Sequence, residues 1–480
     1  MNTHTLSKRK RQAILFFTYG FMTLATIVIS TICVLFVLGY RFDIKDRTIE
    51  QGGLLQFRST PSGATIQLDG VKQNFTTPGK LEVSAGKHSV QFERSGYHLW
   101  QKTVNVDAGE LRWLNYARFV PTTITTKSVT SAEGVVTAMP TPDRKFLAAL
   151  TDAKTGALTI YDLRDMTRVT TKTYVLPSEF VTQIVDQPGV FAIEEWDFGS
   201  RFLLLSYTTS TAKEYIRLDR TAADGAPYNL SREFSLPFSS VHFSGTSGNL
   251  LYALTNHDLR KIDTGNKTVS QPIVTGVESY GLYHENDIAF VAKRNDKKVA
   301  GVYIDNKEYI VQSFAVTDTV LIDLTEYFSH YYIAVANGAH VEIFKDPTEA
   351  SQADAGRVYA SFDMTYQPRW IDFGSSGRYL IVGSGRAFYQ YDLETDEQSQ
   401  VNTSESNPDN RAPKWLDDYY LVDNPSGIVR LYEFDGQNRH DIVKADQSLP
   451  AFLNDNGKYL ISFVLQNDKL SLQTSQMILN

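Results

Sequence analysis

Hydrophobic residues follow two patterns along the chain, one continuous segment near the start and many short alternating runs after it. Residues 13–39 contain no charged side chain. As an α-helix they would extend about 40 Å, which exceeds the roughly 30 Å hydrocarbon core of a bilayer. A cleaved signal peptide has a shorter apolar stretch, and a buried soluble helix has a polar face. We therefore predict a transmembrane helix over 13–40.

Basic residues on the N-terminal side of this segment predict its orientation. A tail formed by residues 1–12 carries Lys8, Arg9, Lys10 and Arg11, whereas the basic residues after the segment are interspersed with acidic ones. The more basic flank of a membrane helix stays in the cytoplasm. We expect a single-pass protein of the plasma membrane with a cytoplasmic N-terminus, anchored in the lipid bilayer by 13–40, and with the bulk of the chain extracellular or envelope-facing.

Short runs of alternating apolar and polar residues begin after a polar tether at 41–52. Between 53 and 121 each run ends at Gly, Pro or Asp, as at Asp69 and Gly70. Alternation over about four to eight residues is typical of half-buried strands, and an Asp-Gly pair is typical of a hairpin turn. This pattern predicts a small antiparallel β-sandwich over 53–121.

The same segment contains an ordered set of anchor residues, namely Pro61, Gly63, Ala64, Asp69, Gly70, Thr77, Pro78, Gly86, Gly96, Tyr97 and Trp100. In these residues it resembles the PEGA domain, a small β-sandwich of bacterial and archaeal surface proteins, although Ser62 stands where the family has Glu. The resemblance implies a spacer or binding module without a catalytic role. A structural role also explains the set, because a small domain needs turn glycines and core aromatics.

A repeated unit fills the remainder of the chain, 122–480. Eight units can be traced at a mean of about 43 residues, which is the period of a four-stranded propeller blade. The clearest copies align at Gly377 and Gly457. We predict an all-β region outside the helix, with the sandwich followed by a seven- or eight-bladed β-propeller. A pair of β-sandwiches would give strands of uneven spacing.

The propeller prediction includes a way to close the ring. The segment 122–136 is expected to supply a strand to the last blade, which removes an exposed sheet edge. The repeats resemble WD40-like and periplasmic TolB-like propellers in turns such as 377–380. They lack the Gly-His and Trp-Asp pairs that WD40 repeats carry in every blade.

Composition and charge narrow the function classes. Aromatic residues make up 12% of the chain, which favours strands, and the formal net charge of -7 is spread without a basic run after residue 11, which gives no indication of a nucleic-acid partner. The single cysteine, Cys33, lies in the apolar segment, so the outer regions can form no internal disulfide. Nucleophile, phosphate-binding and paired-cysteine motifs are absent from the sequence, and we predict no cofactor and no metal site.

Two sets of residues nevertheless suit a site in the propeller. The first set is the histidines of the repeats, His242, His257, His284, His330 and His340. The second is the acids at blade starts, Asp197, Asp323, Asp372 and Asp417. Carboxylates that converge from several blades would suit a glycosidase or lyase, but Asp beside a turn also stabilises that turn. We therefore predict no catalytic residue and assign no ligand-binding residue.

The expected function follows from this organisation. A membrane-anchored module and propeller suit a non-catalytic platform that binds or scaffolds an envelope protein, glycan or wall polymer, since propeller loops lie on the rims of a rigid disc. Two alternatives remain at this point. Either the propeller is an ectoenzyme of the glycosidase or lyase type, or the chain is a subunit of an envelope machine.

Overall fold

The computed structural model describes residues 8–37, 39–43, 48–182, 188–348, 358–385, 387–402 and 411–479. The chain divides into two compact units, Met1–Thr123 and Ile124–Asn480. Each unit has its own sheets and its own buried core.

The first element is an α-helix over Lys8–Val37. Its stretch Gln12–Leu35 is long and apolar enough to cross a membrane, and 0% of its most apolar part is buried against the protein. Four threonine hydroxyls donate to the carbonyl four residues earlier, on Thr18, Thr23, Thr26 and Thr31. These hydroxyls are thereby satisfied within the helix, as an apolar environment requires.

The helix differs from the prediction at both ends. It begins at Lys8, so the four basic residues belong to it, in keeping with the high helix propensity of Lys and Arg. It ends at Val37, and Gly39 follows with φ +79°, a conformation that glycine adopts easily at helix ends. The predicted tether contains an antiparallel pair of strands, Tyr40–Asp43 and Thr48–Gln51.

A two-sheet sandwich completes the first unit. Its strands are Gly53–Thr60, Thr65–Leu68, Val71–Thr76, Gly79–Val83, Gly86–Glu93, Trp100–Val106 and Leu111–Arg118. The first, fourth and seventh of these form a three-stranded sheet, and the other four form the second sheet. The first and seventh strands pair in parallel, so the prediction of a wholly antiparallel sandwich was wrong at this pair. Phe57 of one sheet meets Phe92 of the other edge-to-face at 5.6 Å. Alternation in Trp100–Val106 places every second side chain in this core.

The described residues of the second unit form a β-propeller of eight four-stranded antiparallel sheets. This confirms the predicted fold, and of the seven or eight blades that were predicted the structure has eight. Blades 1 to 4 consist of Thr137–Pro140, Phe146–Asp152, Ala157–Asp162, Thr170–Tyr174; Val190–Trp196, Phe202–Thr208, Lys213–Asp219, Tyr228–Asn229; Phe238–Phe243, Leu250–Thr255, Asp258–Asp263, Thr268–Val269; and Val277–Tyr283, Asp287–Arg294, Lys297–Ile304, Lys307–Ala315.

Blades 5 to 8 consist of Val320–Tyr327, His330–Asn337, His340–Lys345, Val358–Asp363; Trp370–Phe373, Tyr379–Ser384, Ala387–Asp392, Gln398–Asn402; Lys414–Trp415, Tyr420–Asp423, Ile428–Glu433, His440–Lys444; and Phe452–Leu453, Tyr459–Gln466, Lys469–Gln476, Thr126–Ser131. Within the described ranges, two short helical turns flank blade 2, Ser178–Phe180 before its first strand and Leu230–Phe234 after its last strand. Within each blade the strands are numbered 1 to 4 in the order given. First strands contact one another around the central channel between blades 1 and 2, 4 and 5, and 5 and 6.

Strand pairing at the two ends of the unit closes the ring. Thr126–Ser131 forms the outermost strand of blade 8 by pairing with Lys469–Gln476, as predicted for 122–136. A buried cluster that includes Leu147 of blade 1 and Phe463 of blade 8 joins the last blade to the first. The edge strand and the apolar faces that an open array would expose are therefore covered.

The core of the propeller lies between successive blades. Similar apolar clusters join blades 1 and 2, 2 and 3, 3 and 4, 4 and 5, 5 and 6, and 6 and 7. Second strands are covered on both faces, so runs such as Phe202–Thr208 are buried almost throughout rather than alternately. This explains why these strands appear in the sequence as continuous apolar runs.

Truncation of a side chain in the closing cluster tests this arrangement. Phe463 is 0% exposed, whereas Leu465 on the same strand is 61% exposed. We expect Phe463→Ala to lower the free energy of unfolding by about 3–5 kcal/mol, because it leaves a cavity between blades 8 and 1. Leu465→Ala should change it by no more than about 0.5 kcal/mol. Chemical denaturation of the full chain measures both, and equal effects would contradict closure through this cluster.

Candidate functional site

Thr77 ties two loops of the sandwich together. Its hydroxyl lies 2.6 Å from the Ser59 hydroxyl and accepts a hydrogen bond from the Ala64 backbone N–H at 3.0 Å. Its carbonyl accepts from the Gly63 N–H at 2.7 Å. Thr77 is buried, as is Ala64. These contacts give the Pro-Ser-Gly-Ala segment and the Thr-Pro pair a shared structural role, and the peptide bonds before Pro61 and Pro78 are both cis.

Positive φ angles and buried rings account for the other anchor residues. The glycines take left-handed conformations at Gly63, Gly70, Gly86 and Gly96. Trp100 is 1% exposed and stacks on Phe92 with ring centroids 4.6 Å apart. Tyr97 packs against Phe119 at 5.6 Å. A turn glycine or a core aromatic at these places builds the domain, so the anchor set does not by itself outline a ligand site.

Asp69 and His88 form an ion pair that sequence reasoning missed. The Asp69 carboxylate lies 2.7 Å from His88 Nδ1 and accepts from the Ser89 N–H at 2.8 Å. Burial opposes ionisation of Asp69, but its hydrogen bonds outweigh burial and lower the pKa of its carboxyl. Burial also opposes protonation of His88, yet the bonds to Asp69 and to the Ser84 carbonyl raise the pKa of its imidazole. The partners are 19 residues apart and meet only through strand pairing.

Polar and ionisable side chains occur on the first strands of blades 2 to 7, and one from each of these blades is grouped here as the channel set. Its members are Glu195, His242, Tyr280, Asp323, Asp372 and Lys414. Of the predicted candidates, His242, Asp323 and Asp372 belong to this channel set. Glu195 was not predicted, although an acid one residue before the end of a first strand is a signal that could have found it.

Glu195 connects blades 2 and 3. Its carboxylate lies 2.8 Å from His242 Nδ1 and accepts from the backbone N–H of Phe243. The His242 ring then meets the Tyr280 ring edge-to-face at 5.2 Å, and the Tyr280 hydroxyl donates to the Tyr252 carbonyl at 3.0 Å. Burial raises the pKa of Tyr280 well above its ordinary value. This chain of contacts links blades 2, 3 and 4 on the channel side.

Asp323 and Asp372 are neighbouring carboxyls on blades 5 and 6. Asp323 accepts from the Phe373 N–H at 2.6 Å and from its own Leu324 N–H at 2.9 Å. Burial, together with the charge of Asp372, raises the pKa of Asp323 to about 7. Burial also raises the pKa of Asp372 to about 6, although Lys414 acts in the opposite direction. Perturbed carboxyls of this kind occur both at active sites and in structural networks.

The other two acids stabilise their own turns. Asp197 accepts from the N–H groups of Arg201 and Phe202, both at 2.7 Å. Asp417 accepts from the N–H groups of Tyr419 and Tyr420 at 2.9 and 2.8 Å. These contacts fasten the hairpin between strands 1 and 2 in each blade. Neither residue belongs to the channel set.

The remaining histidines lie apart from one another. His257 and His284 occupy hairpin turns with positive φ. His330 lies 2.7 Å from Asp346, and His340 lies 2.7 Å from Asp363. The described ranges contain no group of three or more His, Cys, Asp or Glu side chains that could hold a metal ion.

Two open grooves lie between blades, where strand 2 turns into strand 3. The groove between blades 4 and 5 has a volume of about 560 Å³ and a lining that includes Gln312, Asn337, His340 and Glu342. The groove at blades 7 and 8 has a volume of about 340 Å³ and a lining that includes Arg411, Lys414, Asn424 and Gln447. Both are large enough for a small ligand or a segment of a polymer.

Comparison with known families matches the sandwich of the first unit. Residues 53–120 match the family model of the PEGA domain, in agreement with the resemblance stated above. No curated protein matches the chain. The family assignment concerns this domain, which is a minority of the 480 residues.

Solved structures with some likeness include two proteins. The dihydro-heme d1 dehydrogenase NirN, in complex with DHE, has a TM-score of 0.42 and 11% identity, with coverage of 64% of this chain and 65% of NirN, just under two thirds. An oligogalacturonate lyase, in complex with manganese, has a TM-score of 0.37 and 10% identity, with coverage of 72% of this chain and 98% of the lyase. The propeller assignment therefore rests on the sheet topology of this chain.

Substitution of Asp69 tests the ion pair of the PEGA domain. Asn tolerates the φ of +51° at this position but carries no charge. We expect Asp69→Asn to lower the pKa of His88, because burial then acts without its acidic partner. NMR titration of the His88 ring measures this pKa, with Asp468→Asn as a control at another turn. An unchanged His88 pKa would contradict the pairing.

The pKa shifts of Asp69 and His88 also determine how the contribution of this pair to folding stability changes with pH. A raised folded pKa means that His88 contributes stability below its unfolded pKa of about 6.5 and loses that contribution as the pH rises through the folded value. Asp69, with a lowered pKa, contributes above about pH 4 and loses its contribution on acidification. The Asp69→Asn variant should lack both.

Asp372→Asn tests the half-buried carboxyl on the first strand of blade 6. A carboxyl with a raised folded pKa binds more protons in the folded than in the unfolded state between about pH 4 and 6, so stability falls as the pH rises. We expect the variant to be more stable than the unchanged protein at pH 8, by on the order of 1 kcal/mol, and similar to it at pH 4. Denaturation at both pH values measures this. An equal pH dependence in the two proteins would refute the burial of charge at Asp372.

Proposed function

We propose that this chain, whose residues 53–120 form a PEGA domain, is a single-pass membrane-anchored protein of the cell envelope. Its propeller and PEGA domain act as a non-catalytic platform that binds or scaffolds an envelope polymer or protein. The proposed parts are a cytoplasmic tail at 1–12, a transmembrane helix at 13–40, a tether at 41–52, the PEGA domain at 53–121 and the propeller at 122–480.

The exposed apolar helix supports the membrane anchor. Side chains such as Phe16, Phe21 and Ile29 are all more than half exposed. Exposure of a continuous apolar surface to water would be strongly unfavourable, whereas lipid solvates it. The basic residues from Lys8 to Arg11 favour a cytoplasmic N-terminus and an outward-facing propeller.

The single observation that carries the non-catalytic proposal is the way the blade carboxylates are used. Asp197 and Asp417 accept from the N–H groups of their own turns, and Asp323 uses both oxygens on backbone N–H groups. A general acid or a nucleophile needs an oxygen free to meet the substrate. Asp323 is thus left without such an oxygen, whereas Asp197 and Asp417 each use Oδ1 to hold their own turns.

The grooves and the anchor set support a binding role. An open polar groove of about 560 Å³ presents amide, imidazole and carboxylate groups to solvent, and such groups donate to and accept from a hydroxyl-rich or peptide ligand. The PEGA anchors are engaged in the sandwich itself, as Thr77 and Trp100 illustrate. We therefore assign recognition to the propeller and a spacer role to the PEGA domain.

One observation favours the enzyme alternative. Asp372 has a raised pKa of about 6 beside a second carboxyl, and a general acid near neutral pH requires such a shift. This residue therefore provides the test that separates a platform from an ectoenzyme.

The test uses the full chain in lipid nanodiscs with purified wall polymers, glycans and surface proteins from the same cell. We expect saturable binding without a change in the bound polymer, measured by biolayer interferometry and by mass spectrometry of the polymer. Polymer cleavage that is lost in Asp372→Asn would replace the platform with an ectoenzyme. Absence of binding to every fraction would refute the platform.

A further inference from the structure

Within the described ranges, the two-residue hairpin turns with positive φ at both residues follow a consistent chemistry, with one exception. Four of these turns have positive φ at both residues and begin with Asp or Asn, at Asp69–Gly70, Asn256–His257, Asp305–Asn306 and Asn467–Asp468. Such turns match the twist of the flanking strands, and Asn, Asp and Gly adopt positive φ most easily. The exception is the turn of Phe328 and Ser329, with φ +48° and +61°.

Phe328 is unfavourable for the fold in two respects. A bulky residue at positive φ is a steric outlier, and its ring is 74% exposed at the tip of the hairpin between strands 1 and 2 of blade 5. Neither the turn nor the core explains it, because Asn would suit the backbone better. A residue that disfavours the local structure at a rigid hairpin tip indicates a role outside the fold.

Other aromatic side chains extend this surface. The Phe328 ring lies 4.5 Å from the Tyr327 ring. In the equivalent hairpin of blade 4, the rings of Tyr283 and His284 are 3.9 Å apart, and the Tyr283 hydroxyl contacts the Glu326 carbonyl at 3.5 Å. The two hairpins together present aromatic groups on one rim of the propeller.

Carboxylates surround these rings. Asp287 accepts from the Tyr331 hydroxyl at 2.9 Å, and Glu394 accepts from the Tyr327 hydroxyl at 3.0 Å. Burial raises the pKa of Asp287, and the charges of Asp305 and Glu326 add to this effect. The guanidinium of Arg378 is bound by Asp392 and Glu394. The surface therefore combines the exposed ring of Phe328 with several carboxylates, of which Asp392 and Glu394 also bind Arg378.

We propose that this surface, the Phe328 face, binds a lysine- or arginine-rich segment of a partner protein. It is defined by Tyr283, Asp287, Asp305, Glu326, Phe328 and Glu394. The inference rests on the proposed role of the propeller as a binding platform and names one kind of partner. A cation over an exposed aromatic ring is attracted by its π-face, and nearby carboxylates add charge-assisted hydrogen bonds. An anionic polymer would meet repulsion from the same carboxylates.

Two variants on the Phe328 face and two control variants elsewhere test whether binding depends on this face or on the net negative charge of the protein. Phe328→Asn removes the ring and restores favourable turn chemistry, and Phe198→Asn removes another exposed ring, in the turn between strands 1 and 2 of blade 2. Asp305→Asn removes a charge on the proposed face. Asp468→Asn removes a charge from a turn of the same type between strands 2 and 3 of blade 8, on the opposite face of the propeller.

The experiment measures the fluorescence anisotropy of a short labelled lysine-rich peptide in the presence of the full chain. The chain is held in nanodiscs of phosphatidylcholine, a zwitterionic lipid without net charge. We expect Phe328→Asn and Asp305→Asn each to raise Kd roughly two- to fivefold. Phe198→Asn and Asp468→Asn should leave Kd unchanged. The midpoint of thermal unfolding of Phe328→Asn should equal or exceed that of the unchanged protein, which shows that lost affinity is not lost folding.

Three outcomes would overturn the inference. These are a Kd unchanged by Phe328→Asn and Asp305→Asn, an equal effect of Asp468→Asn, and absence of peptide binding by the unchanged protein. If envelope fractions bind the full chain in any of these cases, the platform stands and only the cationic partner fails. If no fraction binds either, the platform fails as well.

Discussion

Burial of apolar side chains between successive blades is the interaction on which the propeller depends. No blade buries its own faces, since clusters such as that of Leu147 and Phe463 are built from two neighbouring sheets. The last blade must therefore meet the first, and the strand Thr126–Ser131 joins Lys469–Gln476 to achieve this. Contacts between residues more than 300 positions apart thus decide whether the unit has two open apolar faces or none.

Closure of the ring also explains why acidic side chains occur on the first strands, around the channel. A first strand has a partner on one side only, so N–H groups on its inner edge need another acceptor. Glu195 supplies one to Phe243 in the next blade, and Asp323 supplies one to Phe373. Convergence of carboxylates on the axis is therefore a consequence of the architecture in this chain. Burial raises the pKa of Asp372 on blade 6 as well as that of Asp323 on blade 5.

Packing between blades constrains the strands of the propeller but not the residues at the tips of its hairpins. The two faces of the propeller therefore carry different side chains. The two grooves lie where strand 2 turns into strand 3, whereas the Phe328 face lies where strand 1 turns into strand 2. Turn chemistry elsewhere follows backbone preference, as at Asp305 and Asn306. The departure at Phe328 is tolerated because the flanking strands are long and fully paired.

Local patterns in the sequence determined the apolar helix, the PEGA domain, the all-β class and the blade period, because each depends on residues close together in the chain. Blade number remained open, since strands as short as Phe452–Leu453 leave no periodic signal. Only the tertiary structure decided that Asp69 meets His88, that Glu195 meets His242, and that the half-buried Asp323 and Asp372 are neighbours. These contacts join separate strands or blades, and packing sets their distances rather than spacing along the chain.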